Sequence, residues 1–226
     1  MNIVLEQLLI DLPKHSVIDS SFSKNDYVAL DLSTTNETLK SVDVSSSEKL
    51  EIFVNNHIAL NKAKVAFGGY LETRNIYQRS SYFKDANPQT ERNIHLGLDL
   101  WLATDSVIYS PIDSAVHSFK NNTNFGDYGP TIILEHNIQG INFYTLYGHL
   151  SLASIQNLKI GQKFKQGEQI ATLGAASVNG DYPPHLHFQI IKDMQDYVGD
   201  YPGVCSKQDL EFYKANCPDP KLVFQI

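Results

Sequence analysis

Residues 93–101, NIHLGLDLW, alternate strictly between apolar Ile94, Leu96, Leu98 and Leu100 and the series His95, Gly97, Asp99 and Trp101. This is the two-residue period of a strand with one buried face, so His95 and Asp99 project from the same side. A fully extended strand would hold their Cα atoms roughly 13 Å apart at about 3.3 Å per residue. That is too far for the pair to share one ion through bonds of ~2 Å. The chain is therefore expected to bend between them, and Gly97 sits midway, where a missing Cβ permits a kink. A helix would also put positions i and i+4 on one face, but the alternation and the glycine argue against it.

A second alternating run, HLHFQII, places Leu186, Phe188 and Ile190 on one face and His185, His187 and Gln189 on the other. Two histidines at i and i+2 of a strand have Cα atoms about 6.6 Å apart, which suits one ligand and one neighbour poised over the same ion. Spacing alone does not say which is which. His149, in LYGHLS, ends a third apolar, strand-like run. Two neutral imidazoles and one carboxylate, with a fourth position open to water, form the layout of a catalytic rather than a structural zinc. Metals that prefer thiolate ligands are disfavoured, because the chain has only two cysteines.

These segments resemble those of the LytM or lysostaphin-type zinc endopeptidases. HLGLDLWLATDSVIYSPIDSAV is similar to the family's HxGxD segment and the strand pair after it. GPTIILEHNIQGINFYTLYGHLS resembles its central hairpin, and LKIGQKFKQGEQIATLG the turn and strand before HxH. The resemblance runs from about Arg92 to Ile191. It implies one zinc ion per chain held by His95, Asp99 and His187, with His149 and His185 as the unliganded catalytic pair. It further implies hydrolysis of amide bonds in peptidoglycan cross-links, or in similar peptides, by a zinc-activated water. One histidine of the pair would move the proton, and the other would stabilise the oxyanion or protonate the leaving amine; which does which stays open. The chain departs from the family at Gln189, where glutamate is usual, so an amide replaces a carboxylate beside HxH. It also departs at Thr104-Asp105-Ser106 and in the loop ASVNGDYPPH. These last changes are expected at the walls of the cleft, where they bear on substrate choice.

His15, His57, His117 and His136 are expected in packing or surface roles. Tyr144 and Tyr147 fit packing better than cleft lining, while Asn93, Asp181 and Tyr182 are candidate cleft-wall residues. With 18 Lys+Arg against 25 Asp+Glu, the net charge of −7 and the lack of a basic stripe argue against nucleic-acid binding. No apolar run is long enough to span a bilayer, and the oligomeric state is left open. The start, MNIVLEQLLIDLPKH, reads as a short amphipathic helix or strand and lacks the basic residues of a signal peptide. A cytoplasmic location is thus the default expectation, and a periplasmic or secreted one follows if the chain is trimmed or exported without a cleaved signal. Cys205 and Cys217 are read as reduced thiols.

The expected fold is mainly β: an antiparallel, sandwich- or barrel-like LytM domain over residues 66–200, a small α/β segment over 1–65, and a tail over 201–226 packed on the domain. NDYVALDLS reads as a strand, and SSSEKLEIFVNNHIAL as a helix with a serine cap and Leu50, Phe53, Val54 and Ile58 at helical spacing. A finer resemblance lies in GGYLETRNIY ahead of the domain and DYPGVC and NCPDP behind it. They are similar to the flanks of the version of this domain joined to class III aminotransferases and kinase-like domains, which implies a cytoplasmic small amide or peptide as substrate. Two other classes compete. A catalytically silent wall-binding or hydrolase-activating module would normally lack the ligands retained here, and a phosphocarrier-like module leaves Asp99 unexplained. Whether an upstream Asn, His or Asp fills the open zinc position is left open.

Overall fold

The computed structural model describes residues 4–224. Helix α1 (Leu5–Asp11) starts the described chain, and Met1 to Ile3 of the expected amphipathic segment lie outside it. Next come β1 (Tyr27–Ala29), α2 (Ser47–Leu60) and β2 (Val65–Gly68). The Ser46 side chain caps α2 by accepting from the Lys49 N–H, and Leu50 and Val54 are buried one turn apart. This is the helix that the serine cluster and apolar spacing predict.

The remaining strands are β3 (Ile94–His95), β4 (Leu98–Trp101), β5 (Val107–Tyr109), β6 (Ser114–Asn122), β7 (Gly129–Ile138), β8 (Ile141–Gly148), β9 (Lys163–Phe164), β10 (Gln169–Thr172), β11 (His185–Ile191) and β12 (Val204–Cys205). Helix α3 (Ala153–Gln156) lies between β8 and β9, and α4 (Leu210–Asn216) follows β12. Eight strands form one sheet in the order β1-β2-β4-β11-β8-β7-β6-β9, and two small pairs, β5 with β10 and β3 with β12, stand apart from it. The fold is mainly β, as expected. The sheet is antiparallel except at one edge, where β1 and β2 run parallel. A parallel pair needs a crossover, and α2 is that crossover. The first sixty-odd residues thus extend the same sheet, since β2 pairs antiparallel with β4.

One face of the sheet carries Leu98, Leu100, Ile132, Leu134, Leu186, Phe188 and Ile190. It packs on Ile108, Ile170 and Ala171 of the β5/β10 pair and on Leu5 and Leu9 of α1. The other face carries the polar series of β4 and β11, yet it too is covered. Upstream residues Leu30, Leu50, Ile76, Tyr77 and Phe83 cluster with Trp101 and Tyr182. From downstream, Met194, Tyr201 and Cys217 cluster with Ile133, Leu146 and Tyr128. Every residue of β11 is consequently buried, although its sequence alternates like that of a half-exposed strand. Cys205 and Cys217 are both buried and free.

Candidate active site

The site is assembled by register. His187 lies directly across from Asp99 on β4 and from Gly148 on β8, and His149 follows at once. His95 reaches the same place because the run that holds it breaks. β3 ends at His95 and pairs with β12, while β4 starts at Leu98 and pairs with β2 and β11. The expected bend is therefore present. Gly97, however, does not take a left-handed backbone there, and its role is one of space: a Cβ would lie 2.6 Å from His187 Nε2 and 2.8 Å from the Phe188 carbonyl oxygen.

His95 Nε2 and His187 Nδ1 stand 2.8 Å apart, and each is 3.3 Å from Asp99 Oδ1. His185 Nε2 is 3.9 Å from the same oxygen. Backbone and side-chain carbonyls set the tautomers, because a carbonyl oxygen can only accept. His95 Nδ1–H donates to the Gly69 carbonyl at 3.0 Å, and His187 Nε2–H to Gln189 Oε1 at 3.1 Å. His149 Nδ1–H donates to the Asn179 carbonyl at 2.7 Å, and His185 Nδ1–H to the Pro183 carbonyl at 2.8 Å. The opposite nitrogen of each ring is left with a lone pair. On His95 and His187 those lone pairs face each other at 2.8 Å, an arrangement that repels unless a proton or cation lies between them. Asp99 Oδ1, beside them, is buried with no hydrogen-bond partner. Ligand atoms ~2.0–2.2 Å from a tetrahedral ion lie about 3.3 Å from one another, which matches both His–Asp spacings; the His–His spacing is shorter. Among the described residues, His95, Asp99 and His187 form a group able to hold a metal ion.

All five residues are between 1 and 5% exposed. Burial pushes His95 down to about 4 against the pull of Asp99. It also holds His149 well below its ordinary value, helped by the His185 and His187 charges, and lowers His185. The rings of His149 and His185 are thereby neutral at pH 7. Burial alone would raise the Asp99 carboxyl, but the His95 and Arg74 charges win and keep it well below the carboxylate range. Trp101 stacks on His185 with ring centroids 5.6 Å apart, and His149 lies 4.2 Å from His185. Tyr182 meets both imidazoles edge-on. His149 itself has φ +61°, a left-handed conformation uncommon outside glycine. It is held by a bond from its N–H to the Tyr128 carbonyl and one to its own carbonyl from Gly174 N–H.

The family model of peptidase family M23 matches residues 93–198, a span that holds all five side chains. The chain carries a peptidase family M23 domain. A curated metalloprotease of Haemophilus influenzae, described as uncharacterized, is 30% identical over 95 residues, 42% of this chain and 18% of that protein. The chain thus spans under a fifth of the length of that relative. Two solved structures are also similar. The catalytic domain of lysostaphin from Staphylococcus simulans is 24% identical, with 54% of this chain and 80% of that chain covered and a TM-score of 0.37. A zinc-containing peptidase from Vibrio cholerae is 30% identical, with 48% and 30% covered and a TM-score of 0.37.

Two residues that the motifs leave out support His95 and Asp99 from the upstream segment. Arg74, 4% exposed, donates from Nη1 to Asp99 Oδ2 at 2.6 Å and from Nε to Glu72 Oε2 at 2.6 Å. Gly69 supplies the carbonyl that orients His95. Its φ is +109°, and a Cβ would meet the Arg74 guanidinium and His95 Nδ1. Nothing in ETRNIY marks Arg74, whereas the alternation of NIHLGLDLW does place Trp101 on the site face. Of the candidate wall residues, Tyr182 lines the site cavity. Asn93 instead donates to Glu91, and Asp181 pairs with Arg79. The turn at Thr104–Ser106 lies outside that cavity, while DYPP contributes Tyr182 and Pro183. Tyr147 is fully buried in the core on the opposite sheet face, and Tyr144 packs on His117.

Proposed function

We propose that this chain is a zinc-dependent hydrolase of peptide amide bonds, with peptidoglycan cross-link peptides or similar peptides as its substrate class. The observation that carries the reading is the convergence of four imidazole lone pairs and an unpartnered Asp99 oxygen, each oriented by a bond on its far side. In this reading His95 Nε2, His187 Nδ1 and Asp99 Oδ1 hold one zinc ion. Bound there, the ion would supply Lewis acidity toward the scissile carbonyl and shift the pKa of water toward ~7. His149 Nε2 and His185 Nε2 are the proton-handling atoms. One accepts a proton as a neutral base, and the other, once protonated, stabilises oxyanion charge or donates to the leaving amine. Trp101 and Tyr182 hold the two rings in place and keep bulk water from them, which strengthens every charge interaction inside.

Elemental analysis of protein prepared in metal-free buffer is expected to give one zinc per chain. Peptidoglycan and short peptides digested with and without chelator, and read by mass spectrometry, are expected to lose amide bonds only in the zinc-loaded sample. His149→Ala and His185→Ala are each expected to lower the rate about 10²–10⁴-fold at unchanged zinc content, each removing one flank of a pH optimum. A wild-type rate in His149→Ala would reject the scheme.

A further inference from the structure

The cavity over the five site residues opens to solvent where Tyr82 and Tyr197 of its lining are 43% and 37% exposed. This opening lies between the upstream segment and the segment that joins β11 to β12. Charged side chains line it. Arg92 comes from the first segment, Asp200 from the second, and Asp127 from the turn between β6 and β7.

The other two arginines of this region, Arg74 and Arg79, are each paired with a carboxylate. Arg92 is not. Its guanidinium sits over the Tyr82 and Phe83 rings at 5.5 and 5.2 Å, and Nε donates to the Val204 carbonyl at 3.1 Å. Both Nη groups are left over, and among the described residues no carboxylate lies within ion-pair distance of them. Asp200, partly buried, pairs with no cation among the described residues and accepts no hydrogen bond from them. Asp127 is 5% exposed and accepts from the Tyr128 N–H at 2.8 Å and from Asn124 Nδ2 at 3.2 Å, yet no cation pairs with it either. Burial raises its carboxyl and the Asp200 charge adds to the rise, against the pull of the Tyr128 N–H. The two acids therefore feel one another.

The opening thus carries charge of both signs, each uncompensated by the other. Low-polarity walls strengthen such charges relative to those on an open surface. The reacting groups are close: Tyr128, whose N–H bonds Asp127, has its hydroxyl 3.4 Å from His187 Nε2.

We propose that this opening is a charge-selective subsite for a substrate that carries a carboxylate and an ammonium group together, Arg92 taking the first through its free Nη groups and the Asp127–Asp200 pair the second. The inference rests on the hydrolase reading and narrows its substrates to zwitterionic peptides and amides. A guanidinium meets a carboxylate through two parallel N–H···O bonds, and an ammonium donates to carboxylates with the same charge assistance. Free chain ends and charged side chains both supply these groups.

Isothermal titration of metal-free protein, in which no bond is cut, tests this with trialanine whose ends are both free, singly blocked or both blocked. Acetyl-Lys-Ala-Glu-amide and acetyl-Glu-Ala-Lys-amide carry the same charges on side chains. The better zwitterion is expected to bind at least about tenfold more tightly than doubly blocked trialanine, and its identity names chain ends or side chains as the source. Arg92→Gln should abolish the gain from the carboxylate and keep that from the amine, and Asp200→Asn the reverse. Unchanged far-ultraviolet circular dichroism checks the fold, and Asp200→Asn, an isosteric change near solvent, carries the test if Arg92→Gln disturbs it. No binding by any probe, equal affinity for charged and neutral probes, or a gain that the variants leave intact overturns the subsite. Zinc-loaded protein separates the two readings. Charge preference with no hydrolysis sinks the hydrolase and leaves the subsite standing, whereas hydrolysis of charged and neutral probes at one rate sinks the subsite alone.

Discussion

Arg74 grips one oxygen of Asp99 and leaves the other bare: Nη1 donates to Oδ2 at 2.6 Å, while Oδ1 faces His95 and His187 at 3.3 Å. The carboxylate is thereby held with a single unbonded oxygen turned toward the two imidazoles. Replacing Arg74 by leucine leaves the buried Asp99 and the partly buried Glu72 without their cation, at a cost of about 3–5 kcal/mol. It also frees the carboxylate to rotate, so zinc binding is expected to weaken about 10–100-fold. Arg74→Lys should not restore it, because a point charge cannot replace the planar fork that reaches both acids. Urea unfolding and competition with a chromophoric chelator measure the two effects, and wild-type zinc affinity in Arg74→Leu would contradict the aiming role.

Gln189 performs two tasks that substitution can separate. Its Oε1 accepts from His187 Nε2–H, and its Nε2 donates to the Pro202 carbonyl and to Cys217 Sγ, both at 3.2 Å. Gln189→Glu keeps the acceptor and loses both donors. Zinc affinity is therefore expected to hold or rise, while stability falls by about 1–3 kcal/mol. Gln189→Leu removes the acceptor, and zinc affinity should drop about 10–100-fold. Isothermal titration with zinc alongside thermal melts distinguishes the two variants.

His136 gives the metal-free protein a pH dependence remote from the site. It is 1% exposed, bonded to the Asp113 carbonyl and Thr145 Oγ1, and stacked on Phe143. Burial pushes its pKa down to about 4, below the ordinary 6.5, against the pull of the Asp113 bond. The unfolded chain then binds more protons between those values, so this contribution is full above pH 6.5 and is lost as the pH falls toward 4. Going from pH 7.5 to 5, wild-type stability should fall by about 2 kcal/mol more than that of His136→Gln. Urea titrations at both pH values test this, and equal losses would show that the ring is not held neutral.

Much of the site is written in local periodicity. Alternation alone puts His95, Asp99 and Trp101 on one face and His185, His187 and Gln189 on another, because side-chain direction along a strand depends only on position. The α2 helix is legible for the same reason, its Ser46 cap and buried Leu50 and Val54 being set within a few residues. The break between His95 and Asp99 is also foreseeable, though its cause is not: Gly97 is needed for the approach of the His187 ring, which arrives from ninety residues away.

Only the tertiary structure decides which histidine of HLH stands beside His95 and Asp99. The Gln189 carbonyl that turns His187 Nδ1 inward lies two positions on along the same strand face, whereas strand register sets His187 across from Asp99, a relation with no trace in residue order. The same holds for Arg74, for the parallel β1–β2 edge, and for the covering of a strand face whose sequence reads as half-exposed. Composition and spacing determine which way each side chain points, since that is a property of the backbone itself. What each side chain meets depends on segments distant in sequence packing together, and here those segments gather separate histidines into one buried cluster.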